Sequence, residues 1–178
     1  SQHPTEEEVA AFYALSVLGN CYTGVEQDKY DMAARVLMKL NAANPSHPGA
    51  LNYMIHLYDS PSRGYKGRKA ADAYFALAKS SKYAQHAPSH IYMATGDWSK
   101  YVDCNEASWK AAEAWVKKKK KSLEDRDYHS LWWLQYGYLQ QGKYTRALEL
   151  LTNMNRDARY SRSERMRFHL AMMRGHYM

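Results

Sequence analysis

The sequence predicts an all-α chain built from antiparallel helix pairs. Helix-start signals recur along its whole length, apolar residues return at three- and four-residue steps, and no segment alternates polar with apolar residues as a half-buried strand does. With 178 residues, 46% hydrophobic and 24% charged, the chain can bury a core and reads as one domain over residues 1–178. Mean hydropathy is −0.71 and no eighteen-residue apolar run occurs, which excludes a membrane-spanning helix.

Thr5 followed by Glu6, Glu7 and Glu8 is a capping box with acids in the first turn, and it predicts a helix over 5–20. Val9, Phe12, Tyr13, Ser16 and Val17 give that helix one face to bury. A second helix is predicted over 30–43, stopping before Pro45, and a third over 48–58 with Pro48 near its start. Pro61 and Gly64 interrupt the chain before a fourth over 67–79. Further helices are predicted over 86–95, 98–118, 127–141, 144–154 and 163–174, joined by short loops. Pro88 places His86 at the start of the 86–95 helix, where it is free to bond backbone.

The helix pairs are related to one another. Leu134, Tyr138, Gly142, Tyr144, Ala147 and Leu148 follow the tetratricopeptide repeat (TPR) pattern in order and spacing. A second copy reads Tyr92, Gly96 and Trp98, with Tyr101 where a small residue is expected. A third reads Leu18, Gly19, Tyr22, Tyr30, Ala33, Leu37 and Pro45, and a degenerate fourth runs from Leu51 to Tyr58 and on to Ala70, Ala71 and Tyr74. His56 and His90 stand 34 residues apart, the TPR period. The chain therefore resembles a TPR-like right-handed α-solenoid of about four helix pairs and a final helix. His47-Pro48-Gly49, Ile55-His56-Leu57-Tyr58-Asp59, His86-Ala87-Pro88-Ser89-His90-Ile91 and Gly96-Asp97-Trp98 are similar to segments of a mostly bacterial group of TPR proteins. The likeness runs from about Pro4 to Leu151. Where many members of that group carry a second histidine in the third helix, this chain has Tyr53.

That resemblance implies a concave groove lined by the first helix of each pair. Tyr13, Ser16 and Asn20 would face it from the first repeat, and Asn52, Tyr53, His56 and Asp59 from the second. His86, His90 and Met93 follow from the third, and His129, Trp132, Tyr136 and Gln140 from the fourth. A groove made to catch a peptide carboxylate would present Lys, Arg and Asn. This one presents imidazoles and aromatics, and it predicts a binding module for a peptide or small ligand.

Histidines at i and i+4, as in His86 and His90, share a helix face about 6 Å apart at Cβ, near enough to hold one metal. His56 and His129 are then further candidate ligands, and Asp59 a supporting carboxylate. Imidazole-rich sites suit Zn, Cu, Ni or Fe. The alternative to a binding module is therefore a metal-dependent enzyme or metal-binding protein using this cluster. His56, Asp59 and His129 also have the chemistry for metal-free acid–base work. Against both stands plain packing, because a histidine pair on a helix is a weak motif.

The rest is less pointed. Net charge is +7, from 25 basic against 18 acidic residues, which allows anionic partners without requiring them. Lys117–Lys121 reads as a solvated helix end whose cations complement the dipole. The arginine-rich 156–174 stretch reads as the polar face of a last helix that packs through Met166, Leu170 and Met173, and its basic surface allows a structural assembly role. No aromatic-basic RNA motif accompanies it, which leaves nucleic acid a minor option. Cys21 and Cys104 form no disulfide framework and read as buried thiols, and His47 as a turn residue. His3, His169 and His176 fall in no pattern. No targeting segment is visible, Ser1 in place of Met points to a trimmed start, and the Arg- and Met-rich end at Met178 reads as a cut.

Overall fold

A computed structural model describes residues 4–20 and 27–178, with side chains from Glu6 onward. Among them all regular structure is helical: α1 (Pro4–Gly19), α2 (Gln27–Ala43), α3 (Pro48–Tyr58), α4 (Gly64–Leu77), α5 (Lys82–His86), α6 (Pro88–Ala94), α7 (Trp98–Lys118), α8 (Tyr128–Gln140), α9 (Tyr144–Ala158) and α10 (Glu164–Tyr177). A single 3-10 turn, Leu123–Asp125, precedes α8. The Thr5 side chain of the expected capping box, His3, Cys21 and Tyr22 lie outside the described residues. None of the helices is long and apolar enough to cross a membrane.

The helices predicted over 48–58 and 98–118 are found with those bounds. His47 caps the former, its Nδ1 accepting from the Ala50 amide, so the turn residue has a structural job. Asp97 caps the latter through the Lys100 amide. α2 starts three residues earlier than expected, with Asp28 in its first turn, where a carboxylate suits the dipole. α4 starts at Gly64 rather than Gly67, while α9 and α10 run on to Ala158 and Tyr177.

The expected 86–95 helix is two elements. Ser81 caps α5 through the Ala84 amide, and the chain turns at Ala87 before Pro88, which has no amide proton to continue the helix. His86 therefore ends α5 instead of opening a helix, and its side chain bonds another side chain rather than backbone.

Packing follows chain order in two rows. α1, α3, α5–α6, α8 and α10 form one row, and α2, α4, α7 and α9 the other, each of the latter packing on the element before and the element after it. One core cluster joins α1 to α8 through residues such as Leu37, Ile55, Ile91 and Leu134; a second joins α8 to α10 through Tyr128, Met154, Met166 and Met173. Met166, Leu170 and Met173 are buried, as the reading of the last helix required.

Two turns have the same construction. Gly96 and Gly142 both adopt φ +69°, which favours glycine, and each closes its helix with matching amide bonds: Gly96 to the Met93 carbonyl and Gly142 to that of Leu139, then Asp97 to Tyr92 and Lys143 to Tyr138. Tyr101, where the repeat pattern calls for a small residue, is 1% exposed. Its room comes from Gly137 of the next helix, where a Cβ would sit 2.7 Å from the Tyr101 ring. The small residue has moved across the interface.

Candidate functional site

The first-row helices α3, α5–α6 and α8 meet at a cavity of about 270 Å³ lined by His56, Lys82, Tyr83, His86, Ala87, His90, Asp127, His129 and Ser130. The four histidines picked out in the sequence thus come together. Their rings step along the row, with centroids 6.3 Å apart for His56–His90, 5.4 Å for His86–His90 and 4.8 Å for His86–His129.

Each imidazole is held differently. His86 is 7% exposed, and its Nδ1 lies 2.8 Å from Asn105 Oδ1. Asn105 is fully buried on α7 and spends its amide NH2 on the Tyr101 carbonyl, so its oxygen can only accept. The His86 proton is therefore on Nδ1, and Nε2 presents a lone pair. That lone pair faces His129 Nε2 at 3.2 Å. His90 gives its Nδ1 proton to Asp59 at 2.8 Å, which again leaves Nε2 as the inward nitrogen. His56, at the open end, pairs its Nε2 with the Tyr83 hydroxyl at 3.1 Å.

Burial sets the electrostatics. It pushes the His86 pKa down to about 4, with the neighbouring imidazoles His129 and His90 adding to the shift against the hydrogen bond that His86 donates to Asn105. Burial also lowers His56 and His129. At neutral pH these three rings are uncharged, and the site offers imidazole lone pairs and N–H donors rather than cations. Polarity at the floor comes from Ser130, which bonds Asp127 Oδ2 at 3.0 Å, and from Lys82, 3.9 Å from the same oxygen.

Trp133 packs behind the histidine rings and does not itself line this cavity. Its ring lies 4.7 Å from His86, 4.5 Å from His90 and 5.4 Å from His129. On its other side Tyr101 stacks nearly parallel, at an interplanar angle of 17°. There a second cavity of about 290 Å³ opens among Met93, Tyr101, Trp132, Trp133, Tyr136 and His176. The expected ligand-binding set is thus divided: His56, His86, His90 and His129 line one cavity, Trp132 and Tyr136 the other. Asn52 and Tyr53 line neither, and Asn52 Oδ1 is buried without a hydrogen-bond partner among the described residues. Asp59 acts through His90. A cavity of about 950 Å³ lies between α4 and α7 beside Phe75 and Trp115; the ionisable residues in its lining are lysines.

As the side chains stand, no three His, Cys, Asp or Glu among the described residues converge on one metal position. The Nε2 atoms of His86 and His129 approach each other at 3.2 Å. No protein-family model, curated protein or solved structure matches this chain.

Several contributors were not picked out from the sequence. Lys82, Tyr83 and Ser130 line the pocket, and Asn105 fixes a tautomer. His169 and His176 also belong here: His169 lies 6.1 Å from the His129 ring, and His176 Nδ1 accepts from Trp132 Nε1 at 3.0 Å. The spacing of seven between these two histidines, two helical turns, was the available signal. Cys104 is a buried thiol whose pKa burial pushes up, with no part in the site.

Proposed function

We propose that this chain is a TPR-like helical-repeat binding module whose working site is the imidazole pocket between α3, α5–α6 and α8, and that its ligand is a small polar molecule. The observation that carries this reading is the small size of the pocket. At about 270 Å³ it lies just under the roughly 300–1,000 Å³ usual for small-molecule sites, too confined for an extended peptide. Its lining supports the same view: uncharged imidazole nitrogens, a serine hydroxyl and the Lys82–Asp127 pair orient polar groups. Tyr83, bonded to His56, narrows one side.

A metal-binding protein on the same residues is the second reading, favoured by the 3.2 Å approach of two Nε2 atoms. The test of the first is NMR on protein labelled with ¹⁵N in its histidine rings, titrated with a set of small polar fragments and, separately, with unstructured peptides. Fragment-induced shifts confined to His56, His86, His90 and His129 are expected. Peptides that shift residues along several helices while fragments leave the four rings unmoved would overturn it.

A further inference from the structure

We infer that His86 Nε2 and His129 Nε2 together hold one divalent transition-metal ion, leaving its remaining positions to water or to the pocket's small ligand. The inference rests on this pocket being the binding site and names what its floor binds.

The geometry is the first support. For a metal bonded to imidazole nitrogen at about 2.0–2.1 Å, two ligands around a tetrahedron stand roughly 3.3 Å apart. The two Nε2 atoms stand at 3.2 Å, which corresponds to a ligand–metal–ligand angle near 100° by the same bond lengths. The separation of these atoms is the one that two ligands of a shared ion require.

The second support is how the ligands are held. A metal-binding histidine ordinarily gives its other ring proton to a fixed acceptor, which sets the tautomer and aims the lone pair. His86 has that arrangement with Asn105, whose oxygen can only accept because its NH2 is committed to the Tyr101 carbonyl. His90 repeats the arrangement with Asp59, and its ring is 5.4 Å from His86, the nearest further donor to the ion.

Without metal, His129 donates its Nε2 proton to His86. When the ion enters, it takes the place of that proton. His129 gives its Nε2 proton to solvent and takes one on Nδ1, which has no partner among the described residues. The exchange releases no net proton and involves no change of oxidation state.

The test uses the whole chain purified without a metal-affinity tag. Zn²⁺ is titrated calorimetrically and Co²⁺ optically, because four-coordinate Co²⁺ has intense visible bands. One equivalent of either ion is expected, with such bands for Co²⁺. His86→Gln and His129→Gln should each weaken binding at least 100-fold, and Asn105→Leu, which frees the His86 tautomer, by about 10–100-fold. Circular dichroism and melting temperature show whether each variant is folded; should buried His86→Gln unfold, half-buried His129→Gln carries the test. A wild type that takes up neither ion, or a folded His129→Gln that binds like the wild type, overturns the inference. Fragment shifts at the four rings in a protein that takes no metal would remove the ion and leave the pocket. Silence in both experiments removes both.

Discussion

Two cavities lie near Trp133, which lines one and packs behind the histidines of the other, and they are nearly equal in size and different in chemistry. On one side, about 270 Å³ is lined by imidazoles, a lysine, an aspartate and a serine; on the other, about 290 Å³ is lined by Met93, Trp132, Tyr136 and their neighbours. The polar side is ordered by hydrogen bonds that reach across to the second row of helices, as His86 does to Asn105. The aromatic side is ordered by shape, with Tyr101 stacked on Trp133 in room left by Gly137. Lone pairs have to be aimed, whereas rings only have to fit. The first side is therefore sensitive to protons and the second to volume.

Removing Trp133 is the strongest way to break this contrast. Trp133→Ala should lower unfolding free energy by roughly 3–5 kcal/mol, read by urea denaturation. A loss under 1 kcal/mol would mean that Trp133 is not the shared packing element.

Acid should act most strongly on the polar side, through His86. His86 binds a proton at about pH 4 when folded and near the model-peptide value of 6.5 when unfolded. Between those values the unfolded chain holds more protons, so stability falls as pH drops from about 6.5 to 4, by an amount on the order of 3 kcal/mol at 1.36 kcal/mol per tenfold. The lowered His56, His129, His169 and His176 act in the same direction. Replacing His86 with glutamine should flatten much of that slope in folded protein. An unaltered slope would place the acid sensitivity elsewhere.

Gly137→Ala probes the aromatic side. Its Cβ would meet the Tyr101 ring at 2.7 Å and Val102 at 2.8 Å, and it should cost about 1–3 kcal/mol with no change in the pH slope. A smaller step is Trp132→Phe, which removes the bond to His176 and should cost roughly 0.5–1.5 kcal/mol. The smallest expected effect is that of His56→Ala at the open end of the ring row. Its stability should stay within about 0.5 kcal/mol of the parent chain, while fragment binding weakens.

The all-helical character was legible in the sequence because caps, prolines and apolar spacing are local. Pro48 and Trp98 begin helices where their neighbours said they would, and Gly96 and Gly142 turn where a glycine needs positive φ. The break at Ala87 was less legible, since Pro88 fits the first turn of one helix as readily as a boundary between two. The histidines could be nominated from spacing, and the structure does bring the four into one cavity. Spacing along a helix face says nothing about which nitrogen points inward.

The sequence alone determined that this chain is helical, with its turns at particular glycines and prolines and with imidazoles gathered on the first-row helices. Those properties follow from backbone preferences and from periodicity within a few residues. Tertiary structure decided that Asn105 holds His86, that Gly137 makes room for Tyr101, and that a polar cavity and an aromatic one form near Trp133. It also decided that Trp132 and Tyr136 stand apart from the histidines. Each of these depends on side chains from different helices meeting at distances of 3–5 Å, set by packing between the rows and not by any interval along the chain.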